Sequence, residues 1–134
     1  MKLALTTTLR VHSFDEAVEL TRKALSDQGF GVLTDIDMQA TVQAKLGEHM
    51  EDYRILGACN PPLAHRAVGV NRQLGLLLPC NVVVRRDPEA DDLVIVEAIN
   101  PNLMVQLTGE PALEPIAAEA TTRLGAAIES LRDR

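Results

Sequence analysis

Apolar positions along this chain recur with a period of two in some stretches and of three to four in others, and the changes of period divide it into elements. Residues 3–11 alternate through Leu3, Leu5, Thr7, Leu9 and Val11, which predicts a half-buried first strand. Ser13 and Glu16 then have the spacing of a capping box. Behind them Phe14, Ala17, Val18, Thr21, Ala24 and Leu25 share one helical face until Gly29 ends the helix. Residues 30–38 return to a period of two, with Val32, Thr34, Ile36 and Met38 expected on one side and Asp35 and Asp37 on the other.

An alanine- and lysine-containing stretch at 39–46, stopped by Gly47, reads as a short helix. Residues 53–59 read as a third strand. Asn60-Pro61-Pro62 closes it, because the first proline pushes Asn60 out of helical geometry and the second lacks an N–H donor. A short helix from Leu63 to about residue 70 follows. The β-branched runs 79–86 and 92–99 are strands four and five, with Asp87-Pro88-Glu89-Ala90-Asp91 as their hairpin connection. Beyond Asn100-Pro101 only a brief turn near Leu103 is expected. Pro111 then opens a long final helix whose stripe is Leu113, Ile116, Ala117, Ala120, Leu124, Ala127, Ile128 and Leu131.

This order predicts an α+β domain over residues 1–134, strand, helix, four strands and helix, with short inserted helices. Its sheet is mostly antiparallel and carries the helices on one face. A parallel doubly wound sheet fits less well. Its phosphate loop needs glycines between strand and helix, and the junction Val11-His12-Ser13-Phe14 has none.

Composition narrows the function classes. Hydrophobic residues are 46% and charged residues 24% of the 134, ordinary for a globular domain able to bury its own core. A net charge of -6 repels phosphate backbones, and Phe14, Phe30 and Tyr53 are the only aromatics, so a base-stacking platform is missing and nucleic acid is not an expected partner. The opening residues break into threonines before a signal-peptide core forms, and no apolar run nears the roughly 20 residues of a membrane span. A cytoplasmic location is the default expectation, and there two cysteines are more readily reduced thiols than a structural disulfide.

Those cysteines carry the candidate chemistry. Each is followed by asparagine and set among apolar residues, as Gly57-Ala58-Cys59-Asn60-Pro61 and Leu78-Pro79-Cys80-Asn81-Val82. Cys59, Asn60, His65, Cys80 and Asn81 are therefore the candidate ligand-binding set. The competing reading for the thiols is small buried hydrophobes, and for the amides it is turn-fixing bonds to local backbone. Single cysteines so far apart do not make a zinc knuckle. His65 completes at most an open Cys-Cys-His set that no spacing rule demands, so no metal site is expected. Cys59 with His65 as base and Asn60 as donor is the candidate catalytic arrangement of a thiol enzyme. A reversible redox pair is a further reading, requiring Cα atoms within about 7 Å. Arg54, Arg66 and Arg72 add a candidate anion-binding character. Asp35, Asp37, Asp15 and Glu16 fit a wet strand face and a helix N-terminus, as His12 and His49 fit element ends.

The runs Tyr53-Arg54-Ile55-Leu56-Gly57-Ala58-Cys59-Asn60-Pro61-Pro62-Leu63-Ala64 and Gly75-Leu76-Leu77-Leu78-Pro79-Cys80-Asn81-Val82-Val83-Val84 closely resemble the bacterial and archaeal family called domain of unknown function 302. Phe14-Asp15-Glu16-Ala17 and Gly29-Phe30-Gly31-Val32-Leu33-Thr34-Asp35-Ile36-Asp37 agree with it, so the resemblance covers nearly the whole chain. It implies a fold similar to that of the TATA-binding protein. It implies no activity, cofactor or catalytic residue, and a shared fold does not confer DNA binding. The functional expectation is thus a small-ligand-binding or redox-responsive accessory module lined by the Cys-Asn pairs. The alternatives are a thiol-dependent enzyme using Cys59 with His65, and a homodimeric interaction protein.

Overall fold

A computed structural model describes residues 2–132, so Met1 of the opening segment lies outside them. Five strands form one antiparallel sheet: β1 (Ala4–Arg10), β2 (Gly31–Asp37), β3 (Tyr53–Cys59), β4 (Cys80–Asp87) and β5 (Ala90–Ile99), in the order β1-β5-β4-β3-β2. α1 (Phe14–Asp27) follows β1, α2 (Met38–Leu46) follows β2 and α3 (Pro61–Val70) follows β3. α4 (Leu103–Thr108) and α5 (Glu114–Ser130) follow β5. The fold is α+β, as the periodicity implied.

One side of the sheet holds the core. Leu56, Val82, Val84, Val94, Val96 and Ala98 alternate inward along the central strands and are fully buried against α1 and α5. All eight residues of the expected final stripe are buried, from Leu113 to Leu131. Its first turn, Pro111–Leu113, is a 3-10 turn ahead of α5 proper. On α1, Ser13 accepts the Glu16 N–H as predicted. The helix closes as a Schellman motif, with the Gly29 N–H on the Ser26 carbonyl at 3.0 Å and the Phe30 N–H on the Leu25 carbonyl at 2.9 Å. Gly29 takes φ +84 there, a conformation that suits glycine. The turn delivers Phe30 into the core at 2% exposure.

Four expectations need correction. The alternation over 30–38 breaks at Leu33, since Val32 pairs with Ala58 but Thr34 pairs with Gly57; one inserted residue moves every later side chain to the other face. Val32 and Asp35 consequently share the helix side, while Thr34 and Ile36 face away, and Met38 opens α2 with Asp37 as its cap. The third helix begins at Pro61, because Asn60 caps it and the missing proline donors fall where a first helical turn needs none. The β4–β5 connection is only Pro88-Glu89, with the Asp87 carboxylate accepting the Glu89 N–H. Residues 72–77 form a 3-10 helix, and the brief turn near Leu103 is the six-residue α4.

Candidate functional site: two cavities sharing Cys80

Strands β3 and β4 run antiparallel with Ala58 opposite Cys80, so the end of one meets the start of the other at the same end of the sheet. β5 finishes there and β1 begins there. Cys59, Asn60 and Cys80 line one inner cavity together with Phe30, Leu63 and Met104. It has about 20 Å³ of water-accessible room, close to what a single water needs. Cys80 and Met104 also line an outer cavity of about 200 Å³, with Leu3, Leu77, Ile99, Leu103 and Leu107 around it. These two sulfur side chains therefore border both cavities. Cys80 is 8% and Met104 7% exposed, whereas Leu3 and Leu107 at the rim are 70% and 69% exposed.

Burial pushes the Cys80 thiol up to about 11, with the nearby Cys59 charge adding to the shift. At neutral pH it is an uncharged thiol and a poor nucleophile. Cys59 is half-buried, and neither cysteine is in a disulfide.

The two asparagines that follow strand ends at this site do structural work. Asn60 Oδ1 accepts the Leu63 N–H at 3.2 Å and so caps α3, while its Nδ2 lies 3.0 Å from where a Cβ on Gly29 would stand. Asn100 was not singled out in the sequence, yet it is as buried as Asn60. Its Oδ1 accepts the Asn102 N–H, its Nδ2 donates to the Lys2 carbonyl, and its backbone N–H donates to the Leu3 carbonyl. That clamp holds Leu3 at the rim of the outer cavity. The Asn-Pro pattern shared by Asn60-Pro61 and Asn100-Pro101, each at a strand-to-helix junction, was the signal for it.

His65 and Asn81 are elsewhere. Leu63 and Ala67 turn α3 inward, and His65, two positions from each, is exposed on the opposite side. Asn81 pairs with Gly57 and is exposed on the face of the sheet that carries no core. The arginines do not converge on the cavities either. Arg66 pairs with Glu119 of α5 at 3.4 Å, Arg72 is exposed, and Arg54 lies at the other end of β3. Phe30, Met104, Leu3 and Leu107 complete the site without having been foreseen, since no local motif marks them.

At that other end of β3, Asp35 accepts from Arg54 Nε at 2.7 Å, from Arg54 Nη2 at 2.5 Å and from Arg22 Nη2 at 2.5 Å. The Arg54 hydrogen bonds, opposed by desolvation and helped by Arg22, hold the Asp35 carboxyl below its ordinary value. A carboxyl lowered on folding stabilises the protein above its unfolded pKa, and that contribution drains away as pH falls through the folded value. Stability measured by urea unfolding is therefore expected to decline below about pH 4. Asp35→Asn should flatten the part of that decline due to this cluster; an unchanged pH profile would contradict it.

Among the described residues no helix is long and apolar enough to cross a membrane. The model of the family described as "Domain of unknown function DUF302" matches residues 5–131. The crystal structure of an uncharacterised conserved DUF302 protein from Bacillus stearothermophilus is similar, with a TM-score of 0.88 and 28% identity over 98% of this chain and 100% of that one. No curated protein matches the chain. A family match over nearly the full length, together with the same fold in that relative, means that the chain belongs to the family described as domain of unknown function DUF302.

Proposed function

We propose that this protein is a binding module for a small apolar molecule, held in the outer cavity against Cys80 and Met104. The observation that carries the reading is the shape and chemistry of that cavity. Its base is buried, its rim is leucine, and its lining is almost wholly apolar. At about 200 Å³ it exceeds the roughly 150 Å³ of an apolar cavity that takes up benzene, the scale of a medium-length alkyl chain or one aromatic ring. Asn100 stiffens the mouth by clamping the Lys2-Leu3 backbone, so little ordering is left to oppose binding. The neutral Cys80 thiol belongs to this reading as a soft, weakly polar contact.

The chain has no tryptophan, so Leu107→Trp installs a single reporter at the rim. Titration with octanol is expected to shift its emission to the blue and to saturate at one molecule per chain. Adding Leu103→Phe, which fills the cavity, should abolish the shift while the unfolding midpoint stays close to that of Leu107→Trp alone. A linear, non-saturating response, or an undiminished response in the filled variant, would overturn the assignment.

A further inference from the structure

We propose that Cys59, Cys80 and Met104 form a site for one soft monovalent metal ion in the inner cavity, and that Cu(I) is the ion their chemistry fits. Three sulfur side chains from three separate elements, the end of β3, the start of β4 and the first turn of α4, line one space. Thiolate and thioether donors are soft ligands that select Cu(I), whereas hard cations prefer carboxylate and carbonyl oxygen. A structural zinc ion usually takes four Cys or His ligands. Among the described residues no three His, Cys, Asp or Glu side chains gather for it, and His65 points away from the cavity. Asn60 is the polar side chain here, and its oxygen already caps α3.

The size agrees with the donor set. Room of about 20 Å³ suits one atom and excludes an organic ligand. Apolar neighbours such as Phe30, Leu63 and Ile116 offer no donor that competes with the sulfurs. Binding is balanced without redox chemistry. The S–H bonds of Cys59 and Cys80 break, two Cu–S bonds form, both protons pass to the buffer, and the Met104 thioether donates a lone pair. Copper enters and remains as Cu(I), so no oxidant or reductant is consumed.

The test is anaerobic titration of the reduced protein with Cu(I) held by a coloured bicinchoninate competitor. The wild-type chain is expected to withdraw one Cu(I). Cys59→Ala and Cys80→Ala should each weaken binding by about tenfold or more, at least what loss of an outer-shell partner costs a metal site. Met104→Leu should weaken it less, with an unchanged unfolding midpoint. Should the buried Cys80→Ala variant not fold, the half-exposed Cys59→Ala still tests the thiol pair. A wild type that competes no better than the double-alanine variant overturns the site, and so does a Met104→Leu chain that binds as tightly as wild type. Octanol binding by Leu107→Trp is read separately, and its survival in a Cys59→Ala background keeps failure here distinct from failure of the apolar-ligand assignment.

Discussion

Phe30→Ala is expected to lower the unfolding free energy by about 3–5 kcal/mol. Phe30 is 2% exposed, leads directly out of the α1 Schellman turn, and forms one side of the inner cavity. Truncating it removes most of the ring's apolar contacts and leaves a void that neighbours on separate rigid elements cannot collapse to fill. Urea unfolding gives the magnitude. The same variant should gain affinity for benzene, because the inner space then accommodates a ring. A loss below about 1 kcal/mol, well short of the range for buried aromatic truncation, would mean that Phe30 is not packed as described.

Gly57→Ala should also be damaging, by a smaller amount and for the opposite reason. A Cβ at Gly57 would stand 2.1 Å from Thr34 Oγ1 and 2.8 Å from Pro79 Cγ, so the side chain of β2 and the ring preceding Cys80 would both have to move. Overpacking of this kind costs about 1–3 kcal/mol, and more where a backbone must shift. Pro79 is the residue that leads into Cys80, so displacement should also disturb both cavities. Adding Thr34→Ala removes the closer contact and is expected to restore part of the stability but not all, since the Pro79 contact remains. Full tolerance of Gly57→Ala, seen as an unchanged urea midpoint, would contradict this packing.

Much of the fold was readable because its signals are local. The Ser13 cap on the Glu16 N–H, the stop at Gly29 and the eight-residue stripe from Leu113 to Leu131 each depend on near neighbours in sequence, and each is present. The bulge at Leu33 was not legible, because an inserted residue is defined by the partner strand and not by the strand that carries it. α4 runs longer than a brief turn, and Gly109 directly after Thr108 is the local signal of where it ends.

The site divides in the same way. The repeated Cys-Asn pattern led to Cys59, Asn60 and Cys80, which line one cavity because antiparallel pairing sets the end of β3 beside the start of β4. Met104 and Leu107 reach the same place only because β5 finishes next to β4, a relation with no local trace. His65 has the chemistry of a base but not the position. The phase of α3, readable from Leu63 and Ala67 four positions apart, already turned it outward. Asn81 likewise alternates with the buried Cys80 and Val82, and strand periodicity puts it on the other face.

The most direct test of a ligand site against Cys80 is to locate a bound apolar probe. Crystals soaked in bromo-octanol are expected to show an anomalous bromine peak at the outer cavity, with the alkyl chain between Met104 and the leucines at 3 and 107. Bromine found only on the exposed sheet face or at lattice contacts, with that cavity unfilled, would contradict the assignment.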